Sequence, residues 1–192
     1  MAETTEFFNE YKHISVIIHV LSVIVGMGAA LVSDIMFNLY IKDKKINLNE
    51  NRTLGILSNI VWFSLFFIVV SGLMLFLSNP IEYSLSVKFL VKMTIVGVII
   101  INGYAFWHTI HPALRKINFT DTNMRHKYVK LRKASFAMGA VSLASWLTAF
   151  ILGMLGHIPL SYLEAIVGYI TICFGGILVS QIMEYRMTHA KT

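Results

Sequence analysis

Two ionisable residues, His19 and Lys92, each lie inside a long apolar run of this sequence. An ionisable side chain in the hydrocarbon core of a bilayer costs about 3 kcal/mol on insertion scales, so such residues usually serve a function. An imidazole is a frequent ligand of haem iron, and a nearby ammonium can supply a second ligand or a proton. The pair therefore indicates a shared site, provided that both residues lie at one depth.

Other ionisable residues fall within or beside apolar runs. They form a second set of candidates, because chains of ionisable groups inside a membrane mark proton and ion pathways. Structural roles remain open for several: His19 could be a neutral histidine bonded to a neighbouring helix, Lys92 could reach outward to the head groups, and residues near span ends could be solvated. The additional candidates are Asp34, His108, His157, Glu164 and Glu184.

The composition favours a membrane protein. Of the 192 residues, 56% are hydrophobic and only 14% are charged, which leaves too little polar surface for an ordinary soluble domain. The single cysteine excludes an internal disulfide framework and any multi-cysteine metal site. The net charge of +6 does not indicate nucleic-acid binding, because the basic residues flank the apolar runs. The expected partner is a lipid bilayer.

Five apolar stretches are long enough to cross a bilayer as helices, which requires about 20 residues each. The sequence therefore predicts an all-α bundle of five transmembrane helices that forms one domain over residues 1–192. Asn79-Pro80 should end the second helix, since the residue before proline avoids the helical region. The expected spans are about 14–41, 53–77, 86–110, 134–156 and 160–184.

The basic residues predict the orientation of the bundle. Most of the 16 Lys and Arg residues fall after the first span, after the third span, or in the C-terminal tail. The positive-inside rule then places the N-terminus outside and the C-terminus in the cytoplasm, as in a multi-pass protein of the bacterial inner membrane. The basic 111–133 loop is expected to determine topology, and it could also attract anionic lipid.

This topology sorts the ionisable candidates by depth. His19, Lys92, His157 and Glu164 should converge on the outer half of the bundle, where Trp146 is one of the aromatic residues available to line a site. Asp34, His108 and Glu184 belong to the cytoplasmic half. His19 and His108 are separated by about 20 Å along the membrane normal, so they cannot be the two axial ligands of one haem.

Three stretches resemble a known family. His19 followed by Gly26-Met27-Gly28, the Ser86–Lys92 opening of the third span, and Arg125-His126-Lys127-Tyr128 look like the haem-dependent bacterial membrane protoporphyrinogen oxidases and the related copper-resistance D type proteins. The resemblance covers about residues 11–156. It implies haem b associated with the positions of His19 and Lys92, and redox chemistry.

The sequence departs from that family in two respects. It has a fifth span where the family usually has four, and it has Ser33-Asp34 where the family tends to carry Pro-Arg. The Gly26–Asp34 stretch also resembles uncharacterised bacterial five-helix membrane proteins, which implies a fold and no activity.

Three functions follow as hypotheses. The first is a membrane haem b protein with oxidoreductase activity, in which His19 ligates the iron and Lys92 or His157 provides a second ligand or a proton. The second is a transporter or channel for protons or metal ions that uses Asp34, His108, Glu164 and Glu184 as a relay. The third is a structural subunit of a membrane complex or a homo-oligomer, which small-residue helix faces would suit.

Overall fold

The computed structural model describes residues 2–40, 47–110, 112–113, 122–156 and 158–189, and these residues form helices and no strand. A short helix α1 precedes the first long one, and a short α4 lies between the second and third. A π-helical turn, Phe106–Ile110, continues α5. The helices are α1 (Ala2–Glu10), α2 (Lys12–Tyr40), α3 (Leu48–Ser78), α4 (Pro80–Leu85), α5 (Val87–Ala105), α6 (Thr122–Met154) and α7 (Tyr162–His189).

Within the described residues, five helices are long and apolar enough to cross a membrane, which confirms the expected all-α architecture with five membrane-spanning segments. Each observed segment overlaps the span that hydropathy predicted, with ends that differ by a few residues. The segments are Lys12–Tyr40, Leu48–Ser78, Val87–Ile110, Tyr128–Met154 and Tyr162–Arg186.

The helix α6 begins earlier than predicted. It starts at Thr122, so part of the expected 111–133 loop is a helical extension of the fourth span. Hydropathy could not reveal this extension, because it detects the apolar length of a helix and the added turns are basic. The rest of the loop, residues 111 and 114–121, lies outside the described residues, as does His157.

Side-chain caps define the turns around α3. Asn47 and Glu50 form a capping box at its start, in which the Asn47 backbone N–H donates to Glu50 Oε2 over 2.7 Å. At its end, Asn79 also begins α4, where Pro80 occupies the first turn and needs no hydrogen-bond partner for its nitrogen. The Asn79-Pro80 break that the sequence predicted is therefore present.

The long helices pack as antiparallel neighbours. Between α2 and α3, the Ser15 side chain contacts Met74 and the His19 side chain contacts Ser71, so the two helices run in opposite directions. The α6–α7 hairpin is joined by Arg132 with Glu184 at one end and by Ser145 with Tyr169 further along. The helix α5 packs mainly on α6.

Two ends of the bundle follow from this arrangement. We call the end where α2, α5 and α7 begin the first end, and the end where α3 and α6 begin the second end. A buried cluster that includes Val91, Ile95 and Trp146 fills the middle and the first end, and another around Phe37 and Tyr128 fills the second end. Between these clusters the helices leave space for a cavity.

Candidate functional site

A cavity of about 110 Å³ lies between α2, α3, α5 and α6. It lies toward the second end, between the two buried clusters. Its wall combines one acidic side chain, several hydroxyl and amide groups, and large aromatic rings. The lining residues that carry the argument are Asp34, Asn102, Trp62, Trp107, Trp146 and Phe37.

Asp34 is the acidic residue of the cavity wall. It faces α6 at Gly139, where an added Cβ would lie only 3.3 Å from Asp34 Oδ1. Glycine at this position therefore makes room for the carboxyl group. Within the part of the chain that the structure describes, the Asp34 side chain forms no hydrogen bond or ion pair, although its backbone carbonyl accepts from Asn38 Nδ2 over 2.9 Å.

Neutral polar groups line the same cavity as this carboxyl group. Asn102 lies on α5, and its Nδ2 donates to the carbonyl of Met138 over 3.0 Å, which fixes the amide across the α5–α6 contact. Serine residues from α2, α3 and α6 add small hydroxyl groups to the wall. These are Ser33, Ser58, Ser135 and Ser142.

All three tryptophans of the chain line this one cavity. Trp146 is 2% exposed and its Nε1 is buried without a hydrogen-bond partner in the described structure. Its ring packs against Gly26, where an added Cβ would lie 2.7 Å from Trp146 Cη2. Trp146 therefore occupies a notch in α2 on the side of the cavity toward the first end.

His19 lies near the first end with a defined hydrogen bond. Its Nδ1 is 3.0 Å from Ser71 Oγ, and the Ser71 hydroxyl lies within hydrogen-bond distance of the backbone carbonyls of Phe67 and Ile68. When Ser71 donates to one of these carbonyls, Nδ1 donates to Ser71, and Nε2 of the neutral ring is left as an acceptor or ligand. This tautomer is assigned from the hydrogen-bond pattern.

Lys92 lies close enough to His19 for the two side chains to interact electrostatically. Its Nζ would be 3.7 Å from a Cβ on Gly153, and it forms no hydrogen bond to another described residue. The neighbouring Lys88 differs, because its ammonium donates to the carbonyls of Leu155 and Gly156 at the end of α6. Lys88 therefore caps the end of α6, whereas the Lys92 ammonium lies beside Gly153 of the same helix.

The other candidates have separate surroundings. Glu164 is exposed, and its carboxylate accepts from the backbone and hydroxyl of Ser161 at the start of α7, over 2.8 Å each. His108 is exposed beside the ring of Tyr104. Glu184 is 2% exposed and pairs with Arg132.

These positions do not form one cluster. His157 lies outside the described residues, and the expected convergence of four groups is observed only for His19 and Lys92. Asp34 is 15 residues beyond His19 on α2, which corresponds to about 22 Å along the helix. The described residues contain no group of three or more His, Cys, Asp or Glu side chains able to hold a metal ion.

The fit to haem is partial. The Nε2 of His19 has the lone pair that haem iron requires, which suits ligation. A porphyrin is far larger than the 110 Å³ cavity, and neither His19 nor Lys92 lines that cavity. A haem bound to His19 would therefore need a different surface of the bundle.

Sequence reasoning missed the role of Trp62 and Trp107. A partial signal was present for Trp62, which lies in the middle of the second span, whereas Trp107 lies close to the end of the third. Tryptophan is enriched at membrane interfaces, so the mid-span position of Trp62 is the unusual one.

No protein-family model matches the chain, and no curated protein or solved structure matches it either.

Proposed function

We propose that this chain is a multi-pass membrane protein that carries protons or other small cations across the bilayer, with Asp34 as the group that binds and releases them. The observation that carries the proposal is a carboxyl group on the wall of a cavity, with no cationic partner among the described residues. An acidic side chain inside membrane-spanning helices carries a free-energy cost, and such residues commonly mark proton or ion pathways.

The surroundings of Asp34 suit exchange better than fixed structure. A structural carboxylate is usually paired with a base, as Glu184 is with Arg132. Asp34 instead faces the space left by Gly139, on a cavity that the Asn102 side chain also lines. A cation or a proton can therefore be taken up without first breaking an ion pair.

In the proposed pathway, His19 and Lys92 are the second pair of groups that interact with the transported proton or cation, in addition to Asp34. They lie toward the first end, and Trp146 packed over Gly26 lies between them and the cavity. Transfer between Asp34 and the His19–Lys92 pair requires the Trp146 ring to move or water to pass beside it.

We place the first end of the bundle outside the cell and the second end in the cytoplasm, because the basic residues cluster at the second end.

Flux into proteoliposomes tests the proposal. Purified protein is reconstituted with a trapped pH indicator, and proton entry is measured under an imposed membrane potential. We expect entry above that of protein-free vesicles, lost in Asp34→Asn and retained in Glu10→Gln, a matched change of an exposed carboxylate. If the wild-type protein moves neither protons, nor sodium or potassium ions, nor a small alkylammonium ion, or if Asp34→Asn is as active as wild type, the proposal is wrong.

A labelling experiment tests the orientation. The single cysteine, Cys173, is first replaced by serine, and a new cysteine is introduced at Leu160 or at Asn49, which lie at exposed positions of opposite ends. In intact bacterial cells, a membrane-impermeant maleimide should label Leu160→Cys and leave Asn49→Cys unlabelled until the cells are opened. The reverse pattern contradicts the proposed orientation.

Haem b binding with a redox role is a second candidate, favoured by the hydrogen bond of His19. Donation from Nδ1 to Ser71 orients the ring and leaves Nε2 for a metal, the arrangement that oriented histidine ligands usually have. His19 would ligate the iron, and Lys92 would provide a nearby positive charge. Protein purified from haem-replete cells should then show a Soret band that His19→Ala removes, and colourless wild-type protein contradicts this candidate.

A further inference from the structure

The geometry points to a small organic ammonium ion as the ligand of the cavity around Asp34, bound by its carboxylate and the surrounding aromatic side chains. This inference rests on the proposed function, because it names the cation that the same site carries. Three properties of the cavity favour such a ligand: its aromatic lining, its single negative charge and its size.

The aromatic lining favours an organic cation. Trp62, Trp107 and Trp146 all line the cavity, together with Phe37 and Phe106. Aromatic rings attract cations through their quadrupoles, tryptophan most strongly, and aromatic cages are a common means of binding alkylated ammonium groups. A site for a bare metal cation would instead need a shell of oxygen ligands.

The charge of the cavity wall has one sign. Asp34 is the only ionisable residue among the described residues that line it. A single carboxylate in surroundings of low dielectric constant attracts a monovalent cation and disfavours an anion. Asn102 and the hydroxyls of Ser33, Ser58 and Ser142 lie on the same wall, where they are available to accept hydrogen bonds from an ammonium N–H.

The size of the cavity limits the ligand. Its volume of about 110 Å³ equals that of about four water molecules in the liquid, taking about 30 Å³ for each. A ligand of about five non-hydrogen atoms, such as a branched alkylammonium, would fill it with small movements of the side chains. Drug-sized organic cations require much more space.

Intrinsic fluorescence provides a direct binding assay, because every tryptophan of the chain lies on this cavity. Purified wild-type protein in detergent is titrated with tert-butylammonium chloride, with tert-butanol as a neutral probe of the same shape, and with sodium chloride. We expect a saturable change in tryptophan emission with tert-butylammonium alone. Isothermal calorimetry on the same samples detects binding that leaves the emission unchanged.

Matched variants assign the binding to the cavity. Asp34→Asn removes the charge and should weaken tert-butylammonium binding at least about tenfold, since a hydrogen-bonded charge contributes about 1.5 kcal/mol or more. Glu10→Gln should bind as wild type does. An equal response to tert-butanol, the absence of both heat and emission change, or unchanged binding by Asp34→Asn overturns the inference.

The binding assay and the flux assay separate the two proposals. Suppose that proton or metal-cation flux depends on Asp34 but tert-butylammonium does not bind. This result overturns the assignment of an organic ammonium ligand and leaves the transport proposal intact. Binding without any flux overturns transport and identifies the cavity as a receptor site. The titration of wild-type protein gives a result even if Asp34→Asn does not fold.

Discussion

Asp34 on α2 and Gly139 on α6 form a matched pair, in which the carboxyl group of one occupies the space left by the missing side chain of the other. An added Cβ on Gly139 would be 3.3 Å from Asp34 Oδ1, which is closer than ordinary van der Waals contact. The α2–α6 contact thus allows Asp34 to lie on the cavity wall. A larger side chain at position 139 would therefore displace the Asp34 carboxyl group from its place on the wall.

Substitution of this glycine should impair the site. In Gly139→Ala the new methyl group displaces the Asp34 carboxylate by a few tenths of an ångström, and we expect cation flux or binding to fall several-fold. Stability should change by no more than about 1 kcal/mol, because alanine also favours the helix. Flux and thermal unfolding are measured together.

The control is Gly28→Ala, which changes a glycine of α2 whose Cβ would meet no atom within 4 Å. It should retain wild-type flux. Equal loss in the two variants would mean that helix flexibility, and not the position of Asp34, limits the activity.

The spans were predictable because a bilayer sets a strict length and polarity for a helix. The sequence predicted all five long segments and the break at Asn79-Pro80. It did not predict α1 or α4, which are short, or the start of α6 at Thr122. Hydropathy contains no information about how far a helix continues into the polar region.

The candidate site was only partly predictable. Alternating topology placed His19 and Lys92 at similar depth, and the structure brings them near each other. Trp62 and Trp107 line the cavity because of how four helices are rotated about their axes. A depth estimate along the membrane normal does not provide these rotations. The pairing of Glu184 with Arg132 was missed because the arginine was assigned to a loop.

A second glycine of α2 should control the position of Trp146. In Gly26→Ala the new Cβ would be 2.7 Å from Trp146 Cη2 and 2.9 Å from Ser64 Cβ, so one of these groups must move. Overpacking of this kind costs about 1–3 kcal/mol. We expect a lower unfolding temperature and altered tryptophan emission, because Trp146 lines the cavity.

The matched change is Gly97→Ala on α5, where an added Cβ meets nothing within 4 Å. It should leave both measurements close to wild type. Wild-type emission in Gly26→Ala, together with full stability, would show that the bundle accommodates the methyl group without moving Trp146.

The Arg132–Glu184 ion pair should stabilise the α6–α7 hairpin. Both side chains are largely buried, with 12% and 3% of their surfaces exposed, and Arg132 also lies over the ring of Tyr128. Glu184→Gln removes the negative charge from this buried ion pair, which should cost about 3 kcal/mol. Unfolding in a graded detergent series measures this loss.

A double variant separates stability from transport. Arg132→Leu with Glu184→Leu removes both charges and should recover much of the stability lost in Glu184→Gln, since buried ion pairs can often be replaced by apolar pairs. Flux per folded molecule should be unchanged in both variants. If flux per folded molecule falls in these variants, Glu184 takes part in proton transfer as well as in stability.

The hydrogen bond between His19 and Ser71 gives a final test of the role of the histidine. In Ser71→Ala the ring loses the acceptor of its Nδ1 proton, so its orientation and tautomer are no longer fixed. If His19 ligates haem, loss of this partner should weaken haem retention about 10–100-fold, as for other groups that orient metal ligands. Titration of purified apoprotein with haem, followed by its absorption, measures the change.

The control is Ser84→Ala, which changes an exposed serine on α4 whose hydroxyl donates only to a carbonyl of its own helix. Equal haem affinity in Ser71→Ala and Ser84→Ala would mean that Ser71 does not position a haem ligand, and it would leave His19 with a role in helix packing or proton transfer.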